Sequence, residues 1–196
     1  MINQLFPLVL SCVFTSHVLA QDFQTGDIIF HTSQSSQSIV IQKATHSPYS
    51  HMGMIVYRKG KPWVLEAIQP VKYTPLDAWT KRGVKQHYVV KRYHQNLNPK
   101  QQMKLVQSAE KHLGKNYDVY FGWGNEAMYC SEIVWKAYHE ALNIQLAPLQ
   151  KLRQFDLSAA PVKTLMKQRY GEKIPLNETV IAPEAIFRSQ LLKVVH

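Results

Sequence analysis

The chain has 196 residues, 45% hydrophobic and 18% charged, which is enough for one ordinary domain with a real core, too short for two, and too apolar for disorder. The net charge of +10 suits an anionic partner such as a cell wall or phospholipid headgroups, or a merely soluble basic surface. Nucleic acid finds no support, because there is no helix-turn-helix, zinc ligand set or aromatic ribonucleoprotein motif.

Residues 1–20 contain no Asp, Glu, Lys or Arg. Leu5 to Leu10 and Val13-Phe14 are apolar, and Val18-Leu19-Ala20 fits a signal-peptidase site, so the sequence predicts a leader cleaved after Ala20 and a mature domain over residues 21–196. Such a chain is exported, to the periplasm in a Gram-negative host. The leader lacks a basic residue near its start, which leaves a buried N-terminal helix as the competing reading, and its apolar run is too short to span a bilayer. Removing the leader removes Cys12 and leaves Cys130 alone. An unpaired cysteine in an oxidising compartment points to a reactive thiol, against the plainer reading of a buried, inert one.

Within the mature chain, Gly26-Asp27 opens a β-like run from Ile28 to Phe30, and the polar stretch Ser33 to Ser38 precedes a short helix through Ile39 to Ala44. His46-Ser47-Pro48-Tyr49 reads as a turn, since Pro48 fixes its own φ and restricts Ser47. His51 to Tyr57 and Pro62 to Ile68 form a hairpin about Arg58-Lys59-Gly60-Lys61, and His87 to Tyr93 is a further strand. Asn98 caps a helix with Pro99 in its first turn and Gln101 completing a capping box; Leu105, Val106, Ala109 and Leu113 give its apolar stripe and Gly114 stops it. A second helix runs from about Cys130 to Leu142, with Ile133, Val134, Ala137, Tyr138 and Ala141 on one face. Ser158 caps a helix ending near Gly171, and Ala182-Pro183 begins a last short one. Strands clustered between helices give an α+β fold with an antiparallel sheet.

Cys130 stands at the amino end of its helix, where the dipole and free amides favour a thiolate and could also stabilise an oxyanion. His51 opens an otherwise apolar strand; alone it is more often structural than catalytic. Glu66 falls mid-strand with Val64 and Ile68 on its own face, so its carboxylate should be partly buried and in need of a partner. Paired across the hairpin, it could orient the His51 imidazole toward a thiol; an edge glutamate facing solvent is the alternative. The remaining histidines show no metal-ligand spacing, so neither metal nor organic cofactor is expected.

These pieces together resemble the NlpC-type papain-like cysteine hydrolases in their circularly permuted, YiiX-like branch. Thr25-Gly26-Asp27-Ile28-Ile29-Phe30 resembles the family's Gly-Asp strand opening, and Ser50-His51-Met52-Gly53-Met54 its histidine strand. Val64-Leu65-Glu66-Ala67 falls at the third polar residue. Gly114-Lys115-Asn116-Tyr117-Asp118 and Tyr129-Cys130-Ser131-Glu132 resemble the approach to the nucleophile and its helix, placed after the histidine block as in the permuted order. The resemblance implies a permuted papain-like fold with Cys130 as nucleophile, His51 as base and Glu66 as orienter, the last a variant of the His, Asn or Gln often found there. Tyr117 and Tyr49 become candidates to line the substrate site, or else ordinary packing aromatics. The implied reaction is acyl transfer to water, on amide bonds of cell-wall-derived peptides. A lipid amidase, thioesterase or acyltransferase on the same scaffold, favoured by an apolar pocket at Cys130, is the first rival. A non-catalytic envelope-binding module, favoured by a distorted Cys130-His51 pair, is the second.

Overall fold

The computed structural model describes residues 22–196; the expected leader, its cleavage site after Ala20 and Cys12 lie outside the described residues. In chain order the elements are β1 (Ile28–His31), α1 (Ser38–Thr45), β2 (His51–Arg58), β3 (Lys61–Glu66), β4 (Lys72–Pro75), α2 (Leu76–Thr80), β5 (Val89–Tyr93) and α3 (Pro99–Glu110). There follow β6 (Asn116–Tyr117), β7 (Ala127–Met128), α4 (Cys130–Leu142), β8 (Gln150–Lys151), α5 (Ala160–Tyr170), β9 (Thr179–Val180), α6 (Pro183–Phe187) and β10 (Leu192–Val194). A six-stranded sheet runs in the order β10-β5-β1-β2-β3-β4, with every neighbouring pair antiparallel. Two short ribbons, β6-β7 and β8-β9, lie outside it. The architecture is α+β, as the residue pattern implies.

Alternation along β2 divides its side chains between two cores. Met52, Met54 and Val56 join Ile28, Phe30 and Leu65 in the larger one, which Ile133, Val134, Ala137 and Tyr138 of α4 and Leu105 and Ala109 of α3 complete. Ile55 joins Ile29, Val64, Val90 and Trp79 in the smaller. Each fully buried Ile, Leu or Phe here contributes roughly 1.5–3 kcal/mol. A third cluster holds α1 to α5 through Val40, Leu152, Val162 and Met166.

Local chemistry explains the boundaries. At the start of α3, Asn98 Oδ1 accepts from the Gln101 amide at 2.9 Å and Gln101 Oε1 from the Asn98 amide at 3.0 Å, a reciprocal cap with Pro99 in the first turn. The helix stops at Glu110, earlier than the apolar stripe suggests. Gly114, at φ +80, closes the turn that follows, and Leu113 is exposed. The Gly-Asp opening proves architectural: Gly26 adopts φ +100, and Asp27, buried, accepts from Arg92 of β5 at 2.7 and 2.8 Å.

Other expectations are corrected. β3 ends at Glu66, so Ile68 lies beyond it and Glu66 closes the strand instead of sitting in its middle. β5 starts at Val89, because Val84–Gln86 forms a short 3-10 turn with Lys85 and Gln86 at positive φ. Ala159, not Ser158, caps α5; the Ser158 hydroxyl donates to Asp156 at 2.6 Å. β4, α2, β10 and the short strands β6, β7, β8 and β9 go beyond the elements expected from the sequence.

Candidate active site

Cys130 is the first residue of α4 and is buried. Two residues further on, still in the first turn, Glu132 accepts from the Tyr129 amide at 3.3 Å and pairs with Lys136 at 2.7 Å. Burial pushes the Glu132 carboxyl up to about 7 even though Lys136 pulls it down. Lys136 also donates to Gly124 O and to Asn125 Oδ1, the latter at 3.0 Å, which ties the segment before β7 to the nucleophile helix.

His51 opens β2, hydrogen-bonds Glu66, and lies near enough to Cys130 for the two side chains to interact electrostatically. Its Nε2 lies 2.6 Å from Glu66 Oε2, which leaves Nδ1 as the ring nitrogen for the thiol. Burial alone would lower the imidazole pKa; its interactions with Cys130 and with the Glu66 carboxylate outweigh it and raise it to about 9. The structure therefore brings Cys130, His51 and Glu66 into one set, with the imidazole poised as imidazolium at neutral pH.

Glu66 is wholly buried and takes four donors. Oε2 accepts from His51 and from Trp79 Nε1 at 2.9 Å; Oε1 accepts from the Thr74 hydroxyl at 2.6 Å and from Arg82 at 2.5 Å. Burial would raise its carboxyl, but the hydrogen bond and charge of His51, with Arg82 and Thr74, hold it down at about 2. It is a fixed anion at the back of the histidine. The hairpin register, with Met54 opposite Leu65, brings Gly53 level with Glu66. A Cβ on Gly53 would come within 2.4 Å of Val64 Cγ1 and 2.9 Å of Leu65 O. The His-x-Gly spacing thus has a steric cause: only glycine lets β3 close on β2 at the level of the His51–Glu66 bond.

His31 pairs with His51 across β1 and β2. Its ring stacks on Trp79 at 3.9 Å and lies 5.4 Å from His51. Burial, followed by the positive charges of His51 and Arg82, lowers its pKa to about 3, so it stays neutral. Neither of its buried ring nitrogens has a hydrogen-bond partner.

A pocket of about 610 Å³, counting its open mouth, reaches Cys130. Val40 and Ile41 of α1, Phe121, Leu152, and Val162 and Met166 of α5 make its walls almost wholly apolar. Tyr117 lines this pocket beside Cys130. Tyr49 does not; it packs on Phe187 at 4.1 Å and Phe30 at 6.1 Å, as a core aromatic. Sequence reasoning missed Thr74, Trp79 and Arg82, and also the contribution of α1 and α5 to the pocket. The apolar faces of those two helices were the available signal. Among the described residues no group of three His, Cys, Asp or Glu side chains could hold a metal ion.

A model of the permuted papain-like amidases, YaeF/YiiX, C92 family, matches residues 22–196. The chain is 50% identical over 188 residues to the uncharacterized protein YiiX of Escherichia coli (strain K12), covering 96% of this chain and 93% of that protein. A crystal structure described as metalloprotein yiiX from Escherichia coli O157:H7 superposes with a TM-score of 0.86 at 53% identity, over 88% of this chain and 96% of that one. With the Cys130 helix following the His51 strand, and a match that runs through all the described residues, the chain belongs to the permuted papain-like amidases of the YaeF/YiiX family.

Proposed function

We propose that this protein is a cysteine amidase that cleaves an amide or ester bond whose acyl part is a hydrocarbon chain. The carrying observation is the almost wholly apolar pocket at Cys130. A peptide placed there would bury amide groups without partners, at about 1–3 kcal/mol each, whereas a hydrocarbon chain gains roughly 0.8 kcal/mol for every buried methylene. That balance favours acyl lipids over the cell-wall peptides expected from the family resemblance. The His51 imidazole, held by Glu66 and electrostatically coupled to Cys130, favours catalysis over a binding module.

In the proposed reaction Cys130 Sγ attacks the acyl carbonyl carbon, forming a C–S bond and a tetrahedral oxyanion. The oxyanion collapses, the bond to the leaving nitrogen or oxygen breaks, and the His51 imidazolium gives that atom its proton. Neutral His51 then takes a proton from water, which attacks the thioester; the C–S bond breaks and releases the carboxylic acid and the Cys130 thiolate beside the His51 imidazolium, as at the start of the cycle. Glu66 holds the ring and stabilises its charged form throughout. The Escherichia coli O157:H7 relative is described as a metalloprotein. Here His51 Nε2 is taken by Glu66 and His31 faces Trp79 and Gly83, so these residues do not fit a metal, and no step runs through one. Export to an anionic envelope surface, to which the +10 charge is suited, would set the protein beside such lipids.

The test is mass spectrometry of the purified protein after incubation with phospholipid, with decanoyl p-nitroanilide and, separately, with a peptidoglycan digest. Acyl mass on the Cys130 peptide from the first two is expected. Turnover of the digest alone, with no acyl adduct, would overturn the lipid reading.

A further inference from the structure

Tyr117 stands on β6, and its partner in the β6-β7 ribbon is Met128, two residues before Cys130. Its hydroxyl accepts a hydrogen bond from Gln37 Nε2 at 3.0 Å. Gln37 is the N-cap of α1, yet its side chain makes no capping bond. Instead its Oε1 accepts from Arg169 Nη2 at 2.5 Å, near the end of α5. The Arg169 guanidinium lies 5.0 Å over the Phe121 ring, which fixes it in turn. Three segments distant in sequence thus meet behind one phenol.

The row has only one possible polarity. A guanidinium carries donors alone, so the Gln37 atom that meets it must be the amide oxygen. That turns the Gln37 NH2 toward Tyr117, and an amide N–H cannot accept. The Tyr117 oxygen is therefore the acceptor, and its own hydrogen points away from Gln37. Burial, and then the charge of Cys130, keep the phenol protonated, while Gln37 pulls the other way. Tyr117 and Cys130 both line the pocket, and the two side chains interact electrostatically.

We infer that Gln37 and Arg169 are positioning residues that hold the Tyr117 hydroxyl with its hydrogen free for the carbonyl oxygen of an acyl group under attack by Cys130. Tyr117 O–H and the free amide at the start of α4 then share the developing oxyanion, and Tyr117 keeps its proton throughout. Each bond in the row polarises the next, strengthening it by about 10–30%. The inference rests on the acyl-transfer reading above, but not on which acyl group is carried.

A double-mutant cycle on the full chain tests it, with decanoyl p-nitroanilide as the probe and iodoacetamide alkylation of Cys130 as the control, since alkylation develops no oxyanion. Tyr117→Phe should lower kcat about 100-fold, in the range for one oxyanion donor. Gln37→Leu should lower kcat about 10-fold with KM within threefold, and should cost nothing further in the Tyr117→Phe background. Gln37→Glu is the sharpest variant. It keeps the shape and strengthens the Arg169 pair, so a structural role predicts normal activity. A carboxylate, however, accepts the Tyr117 hydrogen and takes it from the oxyanion, so kcat should fall below that of Gln37→Leu at neutral pH. Arg169→Met, which frees the Gln37 amide to turn, should fall between. Alkylation rates should match wild type throughout. Wild-type kcat in Gln37→Glu would overturn the inference, as would an equal loss from Gln37→Leu with and without the Tyr117 hydroxyl. Hydrolysis surviving in Cys130→Ala would instead sink the acyl-enzyme reading. Wild-type protein that is alkylated but never cleaves the probe would overturn both.

Discussion

Replacing Glu66 with glutamine keeps the shape of the side chain and removes its charge, and the structure says that this change is far from mild. Both carboxylate oxygens accept two donors, His51 and Trp79 on one, Thr74 and Arg82 on the other. A glutamine offers one oxygen and one NH2, so in either orientation two buried donors face another donor. At about 1–3 kcal/mol for each buried group left unpaired, Glu66→Gln should lose roughly 2–6 kcal/mol of stability. At about 2–4 °C per kcal/mol for a chain of this size, Tm should fall by roughly 4–24 °C. Catalysis should suffer separately. Cys130 and Glu66 together outweigh the burial that would lower the His51 pKa, so the carboxylate favours the imidazolium. Losing the carboxylate contribution and the ring orientation together should lower kcat about 100- to 1000-fold, short of the roughly ten-thousand-fold orienter loss in the serine triad. The assay pairs thermal melting with steady-state cleavage of decanoyl p-nitroanilide. The folded Glu66 carboxyl sits at about 2 against 4.5 unfolded, so its contribution is present above pH 4.5 and lost as pH falls toward 2. The Tm gap between wild type and Glu66→Gln should therefore narrow over that window. A variant within threefold of wild-type kcat, with unchanged Tm, would refute the reasoning.

Gly53→Ala should cost about 1–3 kcal/mol by overpacking against Val64 and should lower kcat by loosening the β2-β3 approach, both readable from a melt and a rate. His31 is neutral down to about pH 3 in the fold but takes up a proton near 6.5 when unfolded, so its contribution to stability falls as pH drops from 6.5 toward 3. His31→Phe keeps the stack on Trp79 and should gain Tm relative to wild type progressively over that window; a pH-independent difference would refute the assignment. Cys130 should be alkylated by iodoacetamide at neutral pH much faster than free cysteine, and decanoate should protect it by filling the pocket; protection by wall peptides alone would contradict the apolar assignment.

The elements legible in the sequence are those whose signal is local. The Asn98-Pro99-Gln101 cap, the apolar alternation of β2 and the stripe of α4 each declare themselves within a dozen residues. Cys130 and His51 were legible through their places at a helix start and a strand start. Glu66 was legible as a polar break in an apolar strand, but its depth was not. Its partners explain why: Arg82 reads as one charge in the basic run Lys81-Arg82, and Thr74 as part of the polar stretch Lys72-Tyr73-Thr74-Pro75, because only the folded sheet turns these side chains inward. Gln37 and Arg169 lie 132 residues apart and meet only through packing of α1 on α5. Ser158 misled because its hydroxyl found a nearer acceptor in Asp156 than the helix amides.

The three buried carboxylates each hold a cation from the basic surplus: Asp27 holds Arg92, Glu66 holds Arg82, and Glu132 holds Lys136. The +10 charge is thus of two kinds. Exposed lysines such as Lys43, Lys163 and Lys167 can be neutralised one by one in an engineered variant, each within about 0.5 kcal/mol. Arg82, Arg92 and Lys136 are different, because each is the ion-pair partner of a buried carboxylate, and its removal weakens the support of a group in the interior. A redesign that lowers the charge for crystallisation or formulation therefore has to leave those three in place.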